Sequence, residues 1–195
     1  AKGDLGIALD LDAVPTRECV YTTDVWRGRV GLEGDFDLAD RNFYWSLSYS
    51  RAEVEGETDS WGLWTQRRRN ATNAVRSGAD VVCAINVDAD TTNDDPACVP
   101  INIFGTGNVT PEMQAYVAVP TGQTYNNTQD NFLATLGGDL INLPAGPARF
   151  SVAYEYRSEE SEYTPSDAAQ RGLTGSGTVT LPTRGRYNTN EYSVE

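Results

Sequence analysis

The stretch Val25-Trp26-Arg27-Gly28-Arg29-Val30-Gly31-Leu32-Glu33-Gly34-Asp35-Phe36 changes character at every step. Its even positions, Trp26, Gly28, Val30, Leu32, Gly34 and Phe36, are apolar or small. Its odd positions carry Arg27, Arg29, Glu33 and Asp35. A strand points successive side chains to opposite faces, so this period-two pattern predicts one apolar and one charged face. The next segment repeats it, with Phe43, Trp45, Leu47 and Tyr49 against Tyr44, Ser46, Ser48 and Ser50, after the short link Asp37-Leu38-Ala39-Asp40-Arg41.

Downstream, Phe132, Ala134, Leu136, Gly138 and Leu140 alternate with Asn131, Thr135 and Asp139. Phe150, Val152, Tyr154 and Tyr156 then oppose Arg149, Ser151, Glu155 and Arg157. Between these two runs lies Asn142-Leu143-Pro144-Ala145-Gly146-Pro147, which has turn chemistry. The predicted strands therefore lie near 25–36, 42–57, 125–140, 148–160 and 187–195, with long loops near 58–123 and 161–186. The fold class expected is all-β: antiparallel up-and-down strands forming an open part of a transmembrane β-barrel, with a short helix in a long extracellular loop.

A soluble sandwich shows the same alternation, and four details favour lipid over it. Charged residues line the polar face. Aromatics crowd the other face. The apolar run from Trp26 to Phe36 takes ten steps of ~3.3 Å, which at ~40° of tilt rise ~25 Å, the height of a barrel's lipid-facing band. The links alternate short, long, short, long, as periplasmic turns and extracellular loops do. On this reading Trp26, Val30, Leu32, Phe36, Phe43, Trp45, Leu47, Phe132, Leu136, Phe150, Val152 and Tyr154 face lipid. Arg27, Arg29, Glu33, Asp35, Arg149, Glu155 and Arg157 face a wet lumen, pairing across strands or contacting a plug.

Composition narrows the function classes. The net charge of −13 repels nucleic-acid phosphates, so no nucleic-acid partner is expected. No run approaches the ~18 apolar residues of a membrane-crossing helix. The chain has no histidine, which removes Ser-His-Asp and Cys-His catalysis. Glu155 and Glu159 lie some ~13 Å apart along one strand, too far for a glycosidase pair. No enzymatic activity and no cofactor are expected. Ala1-Lys2-Gly3-Asp4 has no signal-peptide character, and both ends read as cut from a longer chain.

The long loop has features of its own. Good helix formers over 65–76 predict a short helix ending near Gly78. Trp61, Trp64, Arg67, Arg68 and Phe104 are candidate ligand contacts; the plainer reading of the arginines is a solvated helix face. Cys83 and Cys98 flank an acidic segment and form a disulfide in an oxidising compartment, closing a loop of ~15 residues worth ~3 kcal/mol. Cys19 is left over. Asp88 to Asp95 begins like an EF-hand loop, but its sixth position is Asn93 and its twelfth Val99, so no metal is expected.

Several motifs together resemble the bacterial TonB-dependent receptors. They are Cys98-Val-Pro-Ile-Asn-Ile-Phe-Gly105 followed by Gly107-Asn-Val-Thr110 and a short helix to Tyr116, then Gly138-Asp-Leu-Ile-Asn-Leu-Pro-Ala-Gly-Pro147 followed by Tyr154-Glu-Tyr-Arg157, and finally Gly185-Arg-Tyr-Asn-Thr-Asn-Glu191. The helix region Asn70-Ala-Thr-Asn-Ala-Val75 is similar too. The resemblance covers roughly residues 20 to 195. It implies a 22-stranded barrel closed by an N-terminal plug, in the outer membrane, importing an iron chelate, cobalamin or an oligosaccharide with energy from a TonB complex. It makes this chain part of the barrel, without the plug or TonB box. A passive porin, or a soluble β-sandwich carbohydrate-binding module, is the alternative.

Overall fold

The computed structural model describes residues 19–102, 107–144 and 146–195. Each predicted strand segment overlaps an observed strand, and each observed strand is longer. They are β1 (Val20–Leu38), β2 (Arg41–Asp59), β7 (Gln123–Leu143), β8 (Gly146–Pro165) and β9 (Thr183–Val194). Between β2 and β7 come β3 (Trp61–Leu63), α1 (Thr65–Thr72), β4 (Ala74–Ser77), β5 (Asp80–Cys83), α2 (Pro111–Val117) and β6 (Ala118–Pro120). Between β8 and β9 comes α3 (Asp167–Gln170).

The long strands form one five-stranded sheet in the order β1-β2-β7-β8-β9. The pairing is antiparallel throughout. Phe36 stacks on Phe43 while Arg29 reaches Ser48, so numbering rises along β1 as it falls along β2. Ser46 bonds Thr135 while Tyr49 bonds Asp130 across β2 and β7. Arg149 meets Asp139 and Glu159 meets Gln129 across β7 and β8. β8 and β9 pair from Val152 with Val194 to Tyr163 with Thr183. The chain is thus an antiparallel all-β protein, and among the described residues no sheet closes on itself.

The link between β1 and β2 is shorter than the five residues expected. Only Ala39 and Asp40 separate the strands, both with positive φ, 52° and 58°. Two such residues make the type I′ turn, whose twist matches that of a hairpin. An alanine there carries a left-handed penalty, which the pairing on both sides offsets.

Contacts divide the chain into two compact units. The sheet unit comprises Thr22–Glu57, Thr124–Tyr163 and Thr183–Glu195. The loop unit includes Thr58–Gln123 and Thr164–Pro182. The loop unit has a small core of Ala71, Ile101, Tyr116 and Val117, flanked by Leu63, Cys98, Val99 and Met113. Among the described residues the sheet unit has no such core: those buried are Gly56, Gly137, Gly138 and Ser158. The glycines are covered because aromatic rings from the neighbouring strand lie on them, Tyr125 over Gly56 and Tyr44 over Gly137. This is a way of shielding backbone where no side chain exists.

Gly138 shows what the gap achieves. A Cβ there would lie 2.6 Å from the Asn42 carbonyl oxygen and 2.7 Å from the Phe43 ring. Without it, Phe43 reaches past β7 to Phe150, ring centroids 6.2 Å apart. Gly138→Val is expected to lower stability by about 1–3 kcal/mol through overpacking. Gly185→Val, with nothing within 4 Å of its Cβ, should change it by less than about 0.5 kcal/mol. Equal losses for the two in a denaturant titration would contradict this account of the gap.

Candidate functional site

The two faces of the sheet differ in chemistry. Register places Trp26, Val30, Leu32, Phe36, Phe43, Trp45, Leu47, Phe132, Leu136, Phe150, Val152 and Tyr154 on one face. The contacts that align them are Phe36 with Phe43, Gly34 under Trp45, Phe43 with Phe150 and Phe132 with Tyr154. Tyr154 also lies 5.1 Å from Tyr192, on β9. None of the twelve is buried; Trp26 is 57% and Leu32 66% exposed. Such exposure is unusual, because a contiguous apolar patch in water forfeits its burial energy.

Farther along the same face, away from the tight turns, the chemistry changes. Tyr49 donates to Asp130 at 2.5 Å, and Arg51 pairs with Asp130 at 3.1 Å. Asn126 donates to Glu53 and Glu55 at 3.1 and 3.2 Å. Arg184 pairs with Glu160. The apolar band therefore ends in tyrosines and then in ion pairs.

The opposite face carries most of the sheet's charged and amide side chains, with a small apolar stretch at Ala52 and Val54. Arg29 donates to Ser48 at 3.4 Å, Asn131 to Glu155 at 2.5 Å and Gln129 to Glu159 at 2.8 Å. Arg149 pairs with Asp139 at 3.1 Å, and Arg157 lies 3.6 Å from Glu159 and 3.9 Å from Glu191. Arg29, Arg149, Glu155 and Arg157 thus meet partners on adjacent strands. No ion pair is formed by Arg27, Glu33 or Asp35 among the described residues. Glu155 and Glu159 accept hydrogen bonds from different side chains, Asn131 and Gln129.

The loop unit is built around a disulfide and a buried tyrosine. Cys83 and Cys98 are bonded, with Cα atoms 6.2 Å apart, and Cys19 is free and exposed. The helix expected over 65–76 stops at Thr72. Ala74 to Ser77 instead pairs with Asp80 to Cys83, turning at Gly78 with φ +65°. Pairing Val75 with Val82 and Arg76 with Val81 takes this end of the run out of the helix, a tertiary contact overriding local helix propensity. Helix α2 begins where Thr110 accepts from the Met113 amide at 3.4 Å and Pro111 takes the first helical position. The Thr110 hydroxyl holds the Glu112 carboxyl below its usual range.

The acidic segment serves the loop's own backbone. Asp90 accepts from Thr92 through both amide and hydroxyl, at 3.0 and 2.6 Å, which lowers its pKa. Asn86 clasps Asp95, donating to its carbonyl at 2.8 Å and accepting from its amide at 2.7 Å. The Asp95 carboxylate accepts from Tyr116 at 2.7 Å. Among the described residues no group of three or more potential metal ligands is gathered.

Of the predicted ligand contacts within the described residues, Trp64 and Arg67 come together. Arg67 stacks 4.2 Å over Trp64 and 5.3 Å from Tyr116, and donates to the Tyr116 carbonyl at 3.3 Å. Its guanidinium is therefore part of the loop's packing. Trp61 lies on β3, half exposed, opposite Pro120. Arg68 lies on α1, and Phe104 lies outside the described residues. A cleft beside Trp64, Gln66, Arg69 and the turn Gly172–Gly177 holds about 270 Å³, just under the ~300 Å³ at which small-molecule sites begin. The Tyr116–Asp95 contact was not legible in sequence, since the two residues are 21 positions apart with no shared motif.

Comparison of the chain with protein-family models, with curated proteins and with solved structures finds no match.

Two outcomes test this loop. Burial and the Asp95 carboxylate push the Tyr116 phenol from 10.0 up to about 12. A raised phenol pKa means the contribution is complete below pH 10.0 and is lost as pH climbs through about 12. Tyr116→Phe should therefore remove one tyrosine from the top of the ultraviolet titration curve, and an unchanged curve above pH 11 or so would contradict the assignment. Reduction of the disulfide should cost the loop about 3 kcal/mol. The Ile101 amide, which donates to Ala71 at 2.9 Å, reports it by hydrogen exchange. Equal protection in oxidised and reduced protein would refute that value.

Proposed function

We propose that this chain is part of the barrel of an outer-membrane receptor that imports a scarce ligand with energy from a TonB complex. One observation carries the membrane part of the reading. The sheet's aromatic and aliphatic face is uncovered by any layer of its own unit, and it is bounded by tight turns at one end and ion pairs at the other. Hydrocarbon chains satisfy that face without a second protein layer, while a strand ladder satisfies the backbone groups that lipid cannot. A soluble β-sandwich needs a facing sheet, and none is present among the described residues of the sheet unit.

The receptor part rests on the motif resemblance around Cys98–Gly107, Gly138–Pro147 and Gly185–Glu191. A passive porin shares the strands and differs in lacking a plug. On this reading the partners are outer-membrane lipid, a TonB complex engaged through the plug of the parent protein, and a small-molecule ligand. On the same reading the short links near 37–41 and 142–147 are periplasmic, and the long connections near 58–123 and 161–186 are extracellular. Arg149, Glu155 and Arg157 line the lumen.

Single-tryptophan variants in vesicles of bromine-labelled phospholipid test the reading. With Trp45 as the sole tryptophan, lipid bromine should quench its fluorescence strongly; with Trp61 as the sole one, it should quench weakly. Val152→Arg should weaken membrane refolding of the barrel by about 2–4 kcal/mol near mid-membrane, and Ser151→Arg on the other face far less. Equal quenching, or equal cost of the two arginines, refutes the facial assignment.

A further inference from the structure

The polar face carries a cleft that no pairing described so far accounts for. It spans β2, β7, β8 and β9 beyond the end of the apolar band and holds about 600 Å³. That is within the ~300–1,000 Å³ of small-molecule sites. Its floor is small and apolar, from Ala52 and Val54. Its walls are the Tyr187 ring, half exposed, and the polar side chains of Asn127, Gln129 and Glu159.

The geometry points to a binding subsite for a neutral polyhydroxylated ligand, an oligosaccharide, in this cleft. The inference rests on the receptor reading above and selects one class among its ligands. Sugars present C–H faces and hydroxyl edges together. The faces suit Val54 and the Tyr187 ring; the edges suit planar amide and carboxylate groups. Glu159 is already held in place, accepting from Gln129 at 2.8 Å and from the Tyr187 hydroxyl. A carboxylate offers about four lone-pair sites, so acceptor capacity remains for ligand hydroxyls.

An anionic chelate fits the cleft poorly. Of the cations nearby, Arg157 lies between Glu159 and Glu191, at 3.6 and 3.9 Å. Arg186 donates to Ser158 at 3.4 Å, on the sheet's other face. A polyanion would therefore meet Glu159 with Arg157 shared between two carboxylates and Arg186 turned to the other face, so neither offsets the like-charge repulsion.

Titration calorimetry on the chain refolded in detergent micelles tests this, with maltoheptaose, xylohexaose and N-acetylchitohexaose as probes and ferric citrate as the anionic contrast. At least one oligosaccharide should bind. Tyr187→Ala and Gln129→Ala should each weaken it about tenfold, a loss of some 1.4 kcal/mol by the standard conversion, and Tyr187→Phe should weaken it less. Circular dichroism confirms that the variants fold; if Tyr187→Ala does not, Gln129→Ala decides. The inference is overturned if none of the three sugars binds, if folded variants bind as well as the parent, or if ferric citrate displaces the sugar. Lipid quenching of Trp45 is an independent readout. Absent sugar binding with quenching intact overturns the ligand class alone, whereas sugar binding without quenching overturns the receptor reading.

Discussion

Main-chain hydrogen bonds running through β1-β2-β7-β8-β9 carry the sheet unit, because its side chains bury so little. Among the described residues of that unit, only three glycines and a serine are shielded from solvent. The side-chain ion pairs are largely exposed, as with Arg149 and Arg51, and such pairs contribute little to stability. A ladder of this kind in water leaves a long apolar face without a partner. The aromatic contacts along that face, from Phe36 through Phe43 to Phe150, organise the surface but do not cover it.

The loop unit solves the opposite problem. It is short of regular structure, and it compensates with a covalent bond, a compact apolar core and polar side chains that stand in for backbone pairing. Asn86 holds Asp95 by both its amide donor and its carbonyl oxygen, as a neighbouring strand would. Tyr116 joins the two devices, its ring in the core and its hydroxyl on Asp95. Arg67 closes the arrangement over Trp64 and Tyr116. A cation stacked on two rings is bound in place, which is why a run of three arginines that reads as a ligand grip or a wet helix face is in part neither.

The strands were legible because their information is local. Trp26 and Val30 announce their shared face within four residues, and the same holds for Phe150 and Val152. The strand ends were less so: Ala39 and Asp40 resemble ordinary link residues, and only the twist of the hairpin explains their left-handed backbone. The run 65–76 reads as one helix because nothing nearby reveals that Val75 will pair with Val82. The polar cleft was not legible at all, since Val54, Gln129, Glu159 and Tyr187 come from four strands.

Sequence by itself determined the two-faced strands, their order of short and long links, and the pairing of Cys83 with Cys98, because a two-residue period and a turn-forming or bond-forming side chain act over short distances of chain. Tertiary structure alone decided that Gly138 leaves room for Phe43 to meet Phe150, that Arg67 is spent on Trp64 and Tyr116, and that Glu159 is fixed between Gln129 and Tyr187. Those outcomes depend on register between strands far apart in the chain, and register is set only when the whole ladder forms.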